Sequence, residues 1–87
     1  NYIFKYRSDP NLYKLMAKAY KGLGKDLEYH ENMGEYFYYQ FNLKEAIIQF
    51  GLAKKVKSND FYAQSRVEAR LKQLQNEQLL IQEGRKQ

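Results

Sequence analysis

The chain has 87 residues, a formal net charge of +5, no cysteine and no tryptophan, but nine tyrosines and five phenylalanines. That length excludes more than one small domain and argues against an enzyme with a deep cleft; the missing cysteines exclude disulfides and thiolate metal sites without deciding the compartment. No stretch approaches the roughly 18 apolar residues of a membrane span, no secretory signal is visible, and the mild positive charge fits an acidic partner, an anionic membrane surface or plain solubility. The chain opens on Asn1 in place of methionine and therefore reads as a segment of a longer polypeptide, with any signal peptide or catalytic domain upstream. Residues 1–8, where Tyr2, Phe4 and Tyr6 alternate, are expected to be a lead-in or the remnant of an upstream helix.

Four helices are predicted. The first follows Asp9-Pro10, where Asp9 can cap and Pro10 loses no hydrogen bond. Leu12, Leu15, Met16, Ala19 and Leu23 recur along it at helical spacing, and Gly22 and Gly24 end it. The second runs from about Asp26 to Phe41 and carries the tyrosine-rich run Tyr36-Phe37-Tyr38-Tyr39, aromatic on all sides, as an inner helix packed on both flanks would be. Gly34 within it costs about 1 kcal/mol relative to alanine, which a close helix–helix approach would explain. The third starts at Asn42, with Glu45 at capping-box spacing, and buries Leu43, Ala46, Ile47, Phe50, Ala53 and Val56. Ser58-Asn59-Asp60 forms the next turn and cap. The fourth runs from about Phe61 to the early 80s with Val67, Leu71, Leu74 and Ile81 on its apolar face, and is more polar than the others.

Between Leu27 and Asp60 the chain fits one 34-residue tetratricopeptide (TPR) repeat. His30, Met33, Gly34 and Phe37 supply the large, leucine-like, small and aromatic residues of a first helix. Phe41-Asn42-Leu43 supplies the turn, and Ala46, Phe50 and Ala53 the small, large and small residues of a second. Met33, Gly34, Phe37, Ala46, Phe50 and Ala53 are thus the residues expected to define the repeat's packing. The predicted fold is all-α, a TPR-like right-handed array of about four antiparallel helices over residues 9–83, with 84–87 as a frayed tail and the polar fourth helix as its cap.

Several motifs invite chemistry. His30-Glu31 resembles the start of a zinc-protease H-E-x-x-H motif, but the fifth position is Gly34 and the chain has one histidine, so a two-histidine site is impossible. Gly22-Leu23-Gly24-Lys25 lacks the spacing of a phosphate loop and follows a helix, so it reads as a helix stop. Glu28, Glu31 and Glu35 share one helical face; a solvated face is the default reading. In the repeat register, however, these glutamates with Tyr38 and Tyr39 occupy the first-helix positions that line a concave groove, and they form the candidate partner site. Lys14, Lys18, Lys21 and Lys25 make a basic stripe on the first helix, read as a solvated face, a neutraliser of the next helix's glutamates, or a contact for phosphates or an anionic surface.

The order Asp9-Pro10-x-Leu12-Tyr13-x-Leu15, Ala17-x-Ala19-Tyr20, Leu23-Gly24, Glu35-Tyr36-x-Tyr38, Ala46-Ile47-x-Gln49 and Ala53 is ordinary TPR grammar. The tract Asp60-Phe61-Tyr62-x-x-Ser65-Arg66-x-x-Ala69-Arg70-Leu71-x-x-Leu74 that follows is more specific. Together, over about Asp9 to Gln75, they resemble the C-terminal TPR tail of bacterial zinc metalloproteases of peptidase family M forty-eight, the BepA-like periplasmic enzymes. Phe41-Asn42 departs from the Gly-Asp or Gly-Asn turn usual in that family.

The resemblance implies a protease domain with its zinc upstream, a location in the periplasm or cell envelope, and a tail that packs near that domain. Such a tail helps recruit outer-membrane proteins or their assembly machinery. None of the family's zinc ligands or catalytic residues falls in this chain, so no catalytic, cofactor or metal site is expected in it. The expected function is a non-catalytic protein-interaction module that binds a polypeptide partner and its own protease domain, with self-association through exposed solenoid ends as a further route. The alternative is a basic helical domain that binds nucleic acid or an anionic membrane surface; no nucleic-acid motif favours it.

Overall fold

Asp9 starts the first helix of the computed structural model, which describes residues 9–85: its carboxylate accepts from the Asn11 N–H at 3.0 Å, and Pro10 is the first helical residue. Four helices follow in order, α1 (Pro10–Gly22), α2 (Asp26–Tyr39), α3 (Leu43–Lys55) and α4 (Phe61–Arg85), with no strand among the described residues. The chain is all-α as expected. Each helix packs chiefly on its neighbour in sequence, and α2 also touches α4 directly. The expectation for residues 1–8 lies outside the described residues.

α1 and α2 end in the same hydrogen-bonded turn. After α1, the Gly24 N–H donates to the Lys21 carbonyl (3.1 Å) and the Lys25 N–H to the Tyr20 carbonyl (3.0 Å), with Gly24 at φ 73°. After α2, the Phe41 N–H donates to the Tyr38 carbonyl (3.0 Å) and the Asn42 N–H to the Phe37 carbonyl (2.9 Å), with Phe41 at φ 62°. Both are Schellman closures, in which one left-handed residue lets two orphan carbonyls be satisfied. Glycine adopts that conformation freely; phenylalanine does so at a cost. The left-handed residue is also why α2 stops at Tyr39, short of the Phe41 that periodicity suggests.

Asn42 then caps α3 through the Glu45 N–H (3.4 Å), and Asp60 caps α4 through the Ala63 N–H (3.1 Å). α4 runs on through Arg85, past the expected start of a frayed tail.

The core lies between α2, α3 and α4. Phe50, Ala46 and Ala53 of α3 meet Ala63, Val67, Leu71 and Leu74 of α4 and Leu27 of α2, and all are buried. Phe50 is wholly buried, which contributes about 1.5–3 kcal/mol. Its ring lies against the bare backbone of Gly34, the close approach that the small residue allows. Phe37 packs on the same cluster, whereas Met33 lines a groove shared with α1. From Leu27 to Tyr39 no residue of α2 is exposed, as suits a helix covered on both flanks.

The apolar stripe of α1 is placed differently from expectation, whereas that of α4 is buried as expected except at Ile81. In α1 the buried residue is Ala17, with Tyr13 and Tyr20 half-buried, while Leu15 is 65% and Leu23 70% exposed. The face of α1 with a small residue between two aromatics packs inward, because Ala17 admits the neighbouring helix more closely than a leucine would. In α4 the buried line is Ala63, Val67, Leu71 and Leu74; Ile81 is half exposed because α4 outruns the elements that cover its first half.

Candidate functional site

The face of α2 that carries Glu28, Glu31, Asn32 and Glu35 forms the floor of a groove of about 340 Å³. Tyr13, Met16 and Tyr20 of α1 make one wall and Arg66 of α4 the other. The three predicted glutamates therefore do lie together in a groove.

Two of them are already engaged. The Arg66 guanidinium grips Glu31 with two hydrogen bonds, one from Nη2 at 2.9 Å. Arg70 grips Glu35 in the same way, with Nη2 at 2.8 Å and Nε at 3.0 Å. Each pair spans 35 residues, so α2 and α4 run in the same direction, about one repeat period apart. Fork-to-fork pairing of this kind is among the stronger charge-assisted contacts.

The physical consequences differ between the two arginines. The hydrogen bonds and charge of Glu31 raise the Arg66 pKa above the ordinary arginine value. Around Arg70, burial opposes the charge, but the hydrogen bonds and charge of Glu35 outweigh it, and the pKa is again raised. Glu28 is the one of the three carboxylates without an ion pair among the described residues. Its backbone carbonyl accepts a 2.8 Å hydrogen bond from the Asn32 side-chain amide, which holds that buried side chain against the groove floor.

Tyr38 and Tyr39, the other two candidates, sit at the far end of α2. They line a separate, mostly apolar cavity of about 590 Å³ with Phe41, Leu43, Glu77 and Ile81. Tyr39 stacks on Tyr13 of α1 with ring centroids 5.5 Å apart. The Tyr38 hydroxyl donates to Glu77 at 3.2 Å, and the Arg70 guanidinium lies 4.5 Å over its ring. Burial, then the charge and hydrogen bond of Glu77, push the Tyr38 pKa above the ordinary tyrosine value of 10.0, with Arg70 pulling the other way. The five candidate residues thus divide between two neighbouring concavities.

Tyr13, Met16, Tyr20, Asn32 and Arg66 also line the groove and were not among the candidate site residues. The readable signal was the 35-residue offset of Glu31 from Arg66 and of Glu35 from Arg70, opposite charges one repeat period apart.

His30 Nδ1 lies 2.8 Å from Gln49 Oε1, a hydrogen bond in which the ring N–H donates to the amide oxygen. Among the described residues no three His, Cys, Asp or Glu side chains converge in a way that could hold a metal ion. No described helix is long and apolar enough to cross a membrane. The lysines of α1 do not pair with the glutamates of α2: Lys14 and Lys21 lie over tyrosine rings instead, on the other side of the α1–α2 seam.

Comparison of the chain with known protein families, characterised proteins and solved structures finds no match.

Proposed function

We propose that this chain is a non-catalytic, TPR-like module that holds a polypeptide in the groove over α2. The observation that carries the reading is the pairing of Glu31 with Arg66 and of Glu35 with Arg70. It sets two helices parallel, one repeat apart, with a concave face between α1 and α4. Gly34 against Phe50, flanked by Ala46 and Ala53, is the packing that a 34-residue repeat calls for. A scaffold of this kind grips other chains along its concave surface. Glu28 supplies a carboxylate with no ion pair among the described residues, Asn32 a buried amide, and Tyr20 a large face at low entropic cost, a set suited to an extended or basic segment.

On its resemblance to the tails of envelope metalloproteases, the module recruits outer-membrane proteins or their assembly machinery in the periplasm, and packs on a zinc protease domain of the same polypeptide. The test is capture of envelope proteins by the immobilised chain, with Glu28→Lys and Tyr20→Ala as groove variants. Capture that both variants abolish supports the reading. Capture indifferent to both removes the groove from it, and no capture above mock beads overturns it.

A further inference from the structure

We infer that the opposite side of the α1–α2 seam is a second docking surface, for an acidic amphipathic helix of another protein. Leu15, Ala17 and Met33 form an apolar floor in a concavity of about 490 Å³, and Lys14, Lys18 and Lys21 rim it. No carboxylate lines it among the described residues. The inference does not rest on the TPR reading, since it uses the surface of one helix pair.

The lysines are placed rather than merely present. The Lys21 ammonium lies 4.8 Å over the Tyr29 ring and the Lys14 ammonium 5.5 Å over the Tyr36 ring, so α1 and α2 form two antiparallel cation–π steps. Such steps hold a long side chain along the helix surface while leaving its N–H donors for another partner. Lys18 stands between them with no ion pair among the described residues. The three charges are spaced i, i+4, i+7 and span about 10 Å along α1, two turns of helix.

Charge complementarity identifies the occupant. The molecule's arginines on the groove side are tied to carboxylates, whereas these lysines are not. Leu15, 65% exposed, stands beside them as an uncovered apolar contact. A helix with leucine-like residues on one stripe and carboxylates flanking it matches both features at once. A phosphate backbone leaves the apolar floor unused, and a flat membrane surface does not enter a concavity between two helices.

The probe is a fluorescent synthetic peptide of about 14 residues, four helical turns, with leucines on one stripe and glutamates beside it. Binding to the full chain is read by anisotropy, and the contacted residues by amide shift changes. Saturable binding is expected, with shifts centred on Leu15, Lys18 and Met33. It should weaken about tenfold or more in the triple variant Lys14→Gln, Lys18→Gln, Lys21→Gln, and likewise in Leu15→Ser. The control triple Lys54→Gln, Lys55→Gln, Lys57→Gln should leave it unchanged. All the substituted positions are exposed, and far-UV circular dichroism of each variant checks that it folds before binding is compared.

Absent binding, equal loss in the control triple, or no effect of Leu15→Ser overturns the inference. So does lysine-dependent binding to phosphatidylglycerol vesicles or to a short oligonucleotide in place of the peptide. A self-association abolished by the first lysine triple would assign the face to a second copy and also overturn it.

Discussion

Phe50 of α3 lies so close over Gly34 of α2 that a Cβ on residue 34 would sit 2.5 Å from its Cε2 and 2.6 Å from its Cδ2. The ring is fully buried. Gly34→Ala therefore forces the two helices apart, an overpacking cost of about 1–3 kcal/mol, against which the helix gains about 1 kcal/mol of propensity. Net destabilisation is expected. Gly51, the next residue of α3, has nothing within 4 Å of a built Cβ; there the propensity gain stands alone and Gly51→Ala should stabilise by about 0.5–1 kcal/mol. Urea denaturation of the two variants checks the opposite signs; two shifts of the same sign would contradict the packing described.

The twin turns make a second test. Gly24 and Phe41 occupy the same left-handed position in the same hydrogen-bonded closure. Phe41 is 97% exposed, so its ring contributes little burial in return. Phe41→Gly should stabilise the chain by about 1 kcal/mol, and Gly24→Ala should destabilise it by a similar amount. Thermal melts of both variants decide it. Phe41 also borders the cavity beside Ile81.

Arg70 and Glu35 are about equally shielded, with side chains 18% and 19% exposed, whereas Arg66 is 55% exposed opposite Glu31. Removing one member of a shielded pair leaves the other without its counter-charge; an exposed pair is screened by water. Arg70→Ala should cost about 1–3 kcal/mol and Arg66→Ala about 0–1 kcal/mol. A double-mutant cycle over Arg70 and Glu35 should show coupling well above that over Arg66 and Glu31. Equal coupling in the two cycles would show that burial does not set the difference.

Tyr38 predicts a pH dependence. Its folded pKa is raised above the ordinary 10.0 by burial and by Glu77, so above pH 10 the unfolded chain gives up this proton more readily than the folded one. The stability linked to that proton is full below pH 10 and is lost as the pH rises through the higher folded value. Tyr38→Phe should therefore flatten the alkaline fall in stability. Glu77→Gln should bring the Tyr38 titration, followed by tyrosinate absorbance, back toward the ordinary value; an unchanged titration would argue against the contact with Glu77.

Helix positions were largely legible in the sequence because their signals are local. Asp9-Pro10, Asn42 and Asp60 each cap the helix that follows, and Gly24 closes the first helix as its left-handed tolerance suggests. The buried stripe of α3 was legible too, since α3 is covered by α2 on one side and α4 on the other, and its aliphatic face has one place to go. The stripe of α1 was not. Counting leucines selects an exposed face, because among the described residues α1 packs chiefly on one helix, α2, and turns Tyr13, Ala17 and Tyr20 inward.

The four described helices, their caps and the grouping of Glu28, Glu31 and Glu35 on one face follow from local sequence, because each depends on residues within a turn or two of one another. Tertiary structure alone decided what that face became. Arg66 and Arg70 arrive from 35 residues away and take Glu31 and Glu35, leaving Glu28 without an ion pair among the described residues. It also drew Tyr38 and Tyr39 into a separate cavity and turned Lys14 and Lys21 of α1 away from the acidic side, onto the rings of Tyr36 and Tyr29. Charge pairing between helices depends on which neighbour comes within a few ångströms, and no local pattern carries that distance.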